Sequence, residues 1–158
     1  MKLLLVQHGD ALPKEKDPER PLSPRGRSEV ERLAAFLGNS GLRLTRILHS
    51  GKLRAAQTAE LLAARILPDA RPEAATGLNP NDPTEQIATR AVRWNDDVAL
   101  VGHLPHMAKL AARLLTDKED TPTVAFVPGT AACLERVGAD QWTLAWMIRP
   151  DLLMHHLR

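Results

Sequence analysis

A chain of 158 residues, 44% hydrophobic and 25% charged, has the length and composition of one globular domain with a single core. Aromatic residues make up only 3% and tyrosine is absent, which argues against binding of single-stranded nucleic acid by base stacking. The net charge is only +2, and no run of five like charges offers a tail for a nucleic acid or a membrane surface. We therefore expect neither a nucleic acid nor a membrane as partner.

Cysteine content and hydropathy indicate the compartment. Cys133 is the single cysteine, which excludes an intrachain disulfide and is typical of a reducing environment. The opening apolar run 3–6 is too short for a signal peptide, and no other stretch approaches transmembrane length. The sequence predicts a cytoplasmic protein.

The chain begins with a predicted strand and helix. The apolar run 2–7, closed by Gly9, predicts a buried strand, and a charged, proline-containing loop follows over 10–21. Ser23 and Pro24 then predict a helix start, with serine as N-cap and proline at the first helical position. Apolar residues at helical spacing continue this helix.

The middle of the chain repeats the alternation. Residues 44–49 predict a second strand, and 52–67 a helix with one apolar face. The segment 68–83, rich in proline, asparagine and aspartate, predicts a long loop with a short strand around 73–76. Residues 84–94 predict a short helix.

The last third predicts one more strand and helix and then strands alone. Residues 98–101 predict a buried strand and 104–115 an amphipathic helix. Three strands are predicted at 123–127, 131–137 and 142–148. Alternating strands and helices predict an α/β fold, a three-layer α/β/α sandwich with a mainly parallel sheet. The closing strands predict at least one antiparallel edge strand.

Three chemically useful residues stand at equivalent places in this pattern. His8 directly follows the first strand, Arg54 lies just after the second, and His103 follows the third. Ligands of open α/β sheets bind outside the carboxyl ends of the strands, so the three side chains are expected at one crevice. Arg54 and Lys52 also begin a helix, where the dipole disfavours a cation by roughly 0.3–1 kcal/mol unless an anion binds there.

Four motifs carry a family resemblance. In chain order they are 5–11 (LVQHGDA), 20–26 (RPLSPRG), 50–59 (SGKLRAAQTA) and 101–105 (VGHLP). Together they resemble the motifs of the histidine phosphatase superfamily, and the compact length and RPLS loop resemble its SixA-type phosphohistidine phosphatases. The resemblance spans nearly the whole chain and implies a phosphoglycerate mutase-like fold and one histidine phosphatase domain, 1–158.

The resemblance implies a role for each matching residue. His8 as a neutral imidazole would attack phosphorus and become phosphorylated. Arg54 would hold two phosphoryl oxygens with its forked donors, and His103, if protonated, would donate to a third. Arg20 is a further expected phosphate contact, and Gly9 would let the backbone approach the phosphate. No metal and no cofactor is implied.

One position departs from the family pattern. The residue before the nucleophile is usually arginine, and here it is Gln7, a phosphate contact that brings no charge. One lost charge-assisted hydrogen bond costs about 1.5–3 kcal/mol. The proton donor to the leaving group is left open between Asp10, two residues after the nucleophile, and Asp82, in the loop where related enzymes carry an acid.

The sequence predicts no metal-binding or catalytic role for His106, His155 or His156. His106 lies three residues after His103, but without an HExxH pattern or a cysteine cluster the two do not predict a metal site. His155 and His156 are expected in a frayed tail.

The preferred function is a phosphatase that acts on phosphohistidine, with a histidine-containing phosphotransfer domain as its phosphorylated partner. Two alternatives stay open. One is a phosphomonoesterase that acts on a small phosphate ester. The other is a weakly active phosphate-binding module, limited by Gln7.

Overall fold

The computed structural model describes residues 1–154, so His155 and His156 lie outside the described residues. In chain order the elements are β1 (Lys2–Gln7), α1 (Pro24–Asn39), β2 (Arg46–His49), α2 (Leu53–Ile66), β3 (Glu73–Ala74), α3 (Glu85–Ala91), β4 (Val98–Gly102), α4 (His106–Thr116), β5 (Ala131–Gly138), β6 (Gln141–Ile148) and a closing 3₁₀ turn (Pro150–Leu153). Within 1–154 no helix is long and apolar enough to cross a bilayer.

One mixed sheet runs through the described residues in the order β3-β2-β4-β1-β5-β6. β3, β2, β4 and β1 pair in parallel, whereas β5 pairs antiparallel with both β1 and β6. The prediction of a mainly parallel sheet with an antiparallel edge is confirmed.

Two apolar cores cover the two faces of the sheet. In β1, Leu4 and Val6 contact the core formed with α1 and α2, whereas Leu3 and Leu5 contact the core formed with α3 and α4. β1 therefore reads as a continuous apolar run because both of its faces are buried. The result is the predicted three-layer sandwich.

Strand register brings the ends of three strands to one level. Val101 of β4 pairs with Val6 of β1 on one side and with His49 of β2 on the other. Because β4 lies between β1 and β2, the residues that directly follow these strands emerge side by side. This register determines the position of the candidate site.

The predicted start of α1 is confirmed. The Ser23 hydroxyl accepts from the Gly26 backbone N–H at 2.9 Å and donates to Asp10 Oδ2 at 2.6 Å. Gly26 packs so closely that a Cβ there would overlap the carbonyl oxygen of Asp10. The loop after β1 is therefore held against the N-terminus of α1.

The predicted strand at 123–127 is wrong, since that segment forms no strand. Val124 and Phe126 are buried while Thr123 and Ala125 are exposed, which explains the alternating pattern. Val124 and Phe126 pack on the core formed with α3 and α4 without pairing to the sheet. Alternation reports one-sided burial, which a strand shares with any extended chain.

Candidate active site

The sheet brings His8 and His103 together as predicted. Their ring centroids are 5.0 Å apart with the planes tilted by 51°. The His8 backbone N–H donates to the Gly102 carbonyl at 3.0 Å, which joins the end of β1 to the end of β4. The side chains of both histidines are buried, at 9% and 2% exposure. The pair lies at the carboxyl edge of the sheet, where β1 and β4 end.

The environment of His8 selects one tautomer. Its Nδ1 lies 2.7 Å from the Gly9 carbonyl oxygen, which can only accept, so Nδ1 carries the proton and Nε2 keeps its lone pair. Burial, together with the positive charges of Arg54 and Arg20, lowers the pKa of His8 from 6.5 to about 4, against the opposing effects of the Gly9 hydrogen bond and the Asp10 charge. At neutral pH the ring is therefore uncharged, with a free lone pair on Nε2.

Gly9 is required by packing at this turn. A Cβ there would lie 2.8 Å from Cγ2 of Val30 and 3.1 Å from Cδ2 of Leu22. Its backbone N–H donates to Thr58 Oγ1 at 3.0 Å, and Thr58 in turn donates to the Arg54 carbonyl at 2.8 Å. The expected approach of this backbone to a phosphate stays a prediction. The turn itself is joined to α2.

Arg54 brings positive charge to both histidines, and Arg20 brings it to His8. Arg54 lies in the first turn of α2, and its buried Nε has no hydrogen-bond partner. Burial lowers its pKa, and the charge of Arg20 lowers it further. Arg20 adopts a left-handed backbone with φ of 50° and donates from Nε to the Leu12 carbonyl at 3.1 Å. The two guanidinium groups repel each other, and the Nε of Arg54 lacks a hydrogen-bond partner. Both features favour binding of an anion beside Arg54.

His103 has a partner that the sequence did not reveal. Its Nε2 lies 2.6 Å from the Ser50 hydroxyl, while its buried Nδ1 has no partner. Burial lowers the pKa of His103 to about 3, with smaller contributions from His8, Arg54 and Lys52. Ser50 directly follows β2, as His8 follows β1. That position was the available signal, but serine is too common in turns to be singled out.

Gln7 is buried at the end of β1 at 6% exposure. Its backbone N–H donates to Thr130 at 3.0 Å, and its carbonyl accepts from Gly129 at 3.1 Å. The side-chain Oε1 is buried without a hydrogen-bond partner. A phosphate contact from this amide stays a prediction.

The two candidate acids have different surroundings. Asp10 acts on His8 by its charge, but its Oδ2 already accepts from Ser23. Asp82 accepts from the Asn79 backbone N–H at 3.0 Å and, with Ser50, lines a pocket of about 430 Å³. For both carboxyl groups the role of proton donor stays a prediction.

His106 lies at the start of α4 and is 1% exposed. Both of its ring nitrogens are buried without partners, and burial lowers its pKa against the opposing charges of Asp82 and Glu119. Among residues 1–154, no three His, Cys, Asp or Glu side chains are grouped so that they could hold a metal ion.

This fold and this pair of buried histidines at the strand ends define the class of protein. The model of the histidine phosphatase superfamily (branch 1) matches residues 3–79, and the chain belongs to this superfamily. More particularly, it is similar to the phosphohistidine phosphatase SixA of Escherichia coli (strain K12), with 28% identity over 162 aligned positions, 95% of this chain and 94% of that protein. The resemblance found in the sequence motifs is thereby confirmed.

Solved structures agree. The structure of the protein histidine phosphatase SixA complexed with tungstate superposes with a TM-score of 0.85 and 27% identity, covering 97% of this chain and 99% of that chain. The alpha-ribazole phosphatase of Shigella flexneri has a TM-score of 0.75 at 16% identity, covering 95% of this chain and 97% of that chain, and shows the shared fold. An uncharacterised protein of Picosynechococcus is 34% identical over 118 positions, 70% of this chain and 71% of that protein.

Proposed function

We propose that this chain, as one domain over 1–158, is a cytoplasmic, metal-independent phosphatase that removes phosphate from phosphohistidine on a phosphotransfer protein. The observation that carries the proposal is the hydrogen bond from His8 Nδ1 to the Gly9 carbonyl, which leaves Nε2 as a lone-pair donor beside Arg54 and His103. Similarity to SixA, whose structure is a complex with the oxyanion tungstate, supports binding of a tetrahedral oxyanion by this chain.

The first step transfers the phosphoryl group to the enzyme. His8 Nε2 attacks phosphorus, the new N–P bond forms, and the P–N bond to the substrate imidazole breaks with its electron pair retained by the leaving nitrogen. That nitrogen takes a proton from Asp10, Asp82 or water. Arg54, Arg20 and His103 stabilise the charge spread over the phosphoryl oxygens.

The second step regenerates the enzyme. Water attacks phosphorus, a P–O bond forms, and the bond to His8 Nε2 breaks to release inorganic phosphate. The hydrogen bond to Gly9 keeps the ring in one orientation through both steps, because Nδ1 keeps its proton throughout.

Two alternatives have specific support. The pocket of about 430 Å³ that Ser50 lines next to His103 could receive the remainder of a small phosphate ester, which favours a phosphomonoesterase. The uncharged, buried amide of Gln7 favours a weakly active phosphate-binding module.

One experiment separates the three. Wild type and His8→Ala are incubated with a phosphohistidine-bearing phosphotransfer protein and with an aryl phosphate, and intact mass is measured after an alkaline quench. Phosphate release from the protein, with a phosphoryl adduct on wild type but not on His8→Ala, is the expected result. Turnover of the ester alone would favour the phosphomonoesterase, and vanadate binding without turnover the binding module.

A further inference from the structure

A buried, neutral histidine can donate only from the nitrogen that carries its single proton. His103 is 2% exposed and lies beside His8 and the cationic Arg54 and Lys52, surroundings that oppose a charged ring. Its ability to donate to an oxyanion therefore depends on its tautomer.

Ser50 is placed to select that tautomer. β2 and β4 pair side by side, and the Ser50 hydroxyl that follows β2 lies 2.6 Å from His103 Nε2. The same oxygen accepts from the Lys52 backbone N–H at 3.3 Å, ahead of the first turn of α2. One lone pair is thus engaged, and the hydroxyl proton is available for the imidazole.

The two possible tautomers differ in what they leave at Nδ1. If Nε2 carried the proton and donated to Ser50, the unpartnered Nδ1 would be a bare lone pair, unable to donate to an anion. If Ser50 donates to Nε2, the proton is on Nδ1 and the neutral ring has a free donor. Only the second arrangement lets uncharged His103 bind a phosphoryl oxygen through its free nitrogen.

We infer that Ser50 is a positioning residue that donates to His103 Nε2 and holds the neutral ring in the Nδ1–H form, ready to donate to a phosphoryl oxygen. This inference rests on the proposed function for the identity of the oxyanion. The tautomers of the two histidines are then fixed in opposite ways, by an acceptor for His8 and by a donor for His103. The Gly9 carbonyl leaves His8 with a reactive lone pair at Nε2, and the Ser50 hydroxyl leaves His103 with a proton at Nδ1.

The test is the tautomer of His103 in the phosphate-free protein. Histidine side chains are labelled with ¹⁵N in wild type, Ser50→Ala and Ser50→Thr, and His103 is assigned by its loss in His103→Gln. Wild type and Ser50→Thr should show a protonated Nδ1 and an unprotonated Nε2 at neutral pH, and Ser50→Ala should shift toward the Nε2–H form. A wild-type Nε2–H ring, or an unchanged ring in Ser50→Ala, would overturn the inference.

Kinetics connect the tautomer to the reaction. Ser50→Ala should lower kcat by on the order of tenfold, and Ser50→Thr should restore most of it. An altered tautomer with unchanged kcat would overturn the functional half of the inference. If wild type never forms a phosphoryl adduct on His8, the proposed function fails, but the spectra still decide the role of Ser50.

Discussion

His8 and His103 lie 5.0 Å apart, and each is kept neutral mainly by burial and further by the positive charges around it. A neutral imidazole is what in-line attack requires, since a protonated ring has no lone pair to offer. In the proposed reaction the cations beside His8 would therefore have two effects. They would bind the phosphoryl group, and they would keep His8 unprotonated.

Replacing Arg54 by glutamine tests both effects. Because the charge of Arg54 lowers the pKa of His8, Arg54→Gln should raise that pKa above its value of about 4. Loss of a charge-assisted contact of about 1.5–3 kcal/mol should also lower kcat/KM by on the order of ten- to a hundredfold. ¹⁵N titration of His8 and steady-state rates measure the two effects.

Arg65→Gln is the matched control, because Arg65 is an exposed arginine in the last turn of the same helix. It should change neither the His8 titration nor the rate. An unmoved His8 pKa in Arg54→Gln would show that the guanidinium does not act on the nucleophile.

Gln7→Arg tests whether the missing charge before the nucleophile limits turnover. A guanidinium there can supply the charge-assisted contact, so kcat/KM should rise by on the order of tenfold or more if that contact is the limit. Gln141→Arg, on the exposed edge strand β6, controls for added net charge. An unchanged or lower rate would show that the buried position of Gln7 does not direct its side chain at phosphate.

The sequence predicts a site residue where it predicts the end of the strand that precedes it. The positions of His8 and His103 follow from apolar runs whose ends meet at one edge of a parallel sheet. The contact between Ser50 and His103 could not be predicted, because it depends on the register of β2 against β4. The hydrogen bond from Ser23 to Asp10 could not be predicted either, because it joins a helix start to a loop residue thirteen positions earlier in the chain.

At the scale of elements, the junction between the loop after β1 and α1 supports the site. Ser23 caps α1 through Gly26 and also donates to Asp10, two residues after the nucleophile. Ser23→Ala should therefore lower the free energy of unfolding by about 1 kcal/mol, within the range of 0.5–2 kcal/mol for a lost N-cap. Urea denaturation measures the change.

Ser28→Ala serves as the comparison, because Ser28 lies inside α1 and accepts only from Arg32 of the same helix. It should change stability by a few tenths of a kcal/mol at most. Equal losses in both variants would mean that the cap contributes nothing beyond an ordinary helix contact.

Elements were predicted best where a pattern has one structural cause. β1 and α1 were assigned from a buried run and a serine–proline start, and both are as predicted. The prediction of a strand at 123–127 is wrong because the alternate burial of Val124 and Phe126 arises without strand pairing. α4 begins at His106 and not at 104, since a residue before proline is disfavoured in a helix and Leu104 precedes Pro105.

For the molecule as a whole, three buried histidines contribute to the loss of stability in acid. Burial lowers the pKa of His8 to about 4, that of His103 to about 3, and also that of His106. In the unfolded chain each would titrate near 6.5, so below that pH the unfolded state binds more protons than the folded state. The stability from these neutral rings is complete above pH 6.5 and is lost as the pH falls toward 4 and 3.

His106 is the histidine whose removal tests this linkage away from the nucleophile. Both of its ring nitrogens are buried without partners, so His106→Leu should remove a desolvation cost and raise the free energy of unfolding at pH 7. The gain should grow at pH 5, because wild type loses up to about 1.4 kcal/mol per pH unit for each proton that only the unfolded chain binds. Urea denaturation of both proteins at pH 7 and 5 measures the two differences. An equal gain at both pH values would mean that His106 is protonated in the folded protein, which would require Asp82 or Glu119 to outweigh its burial.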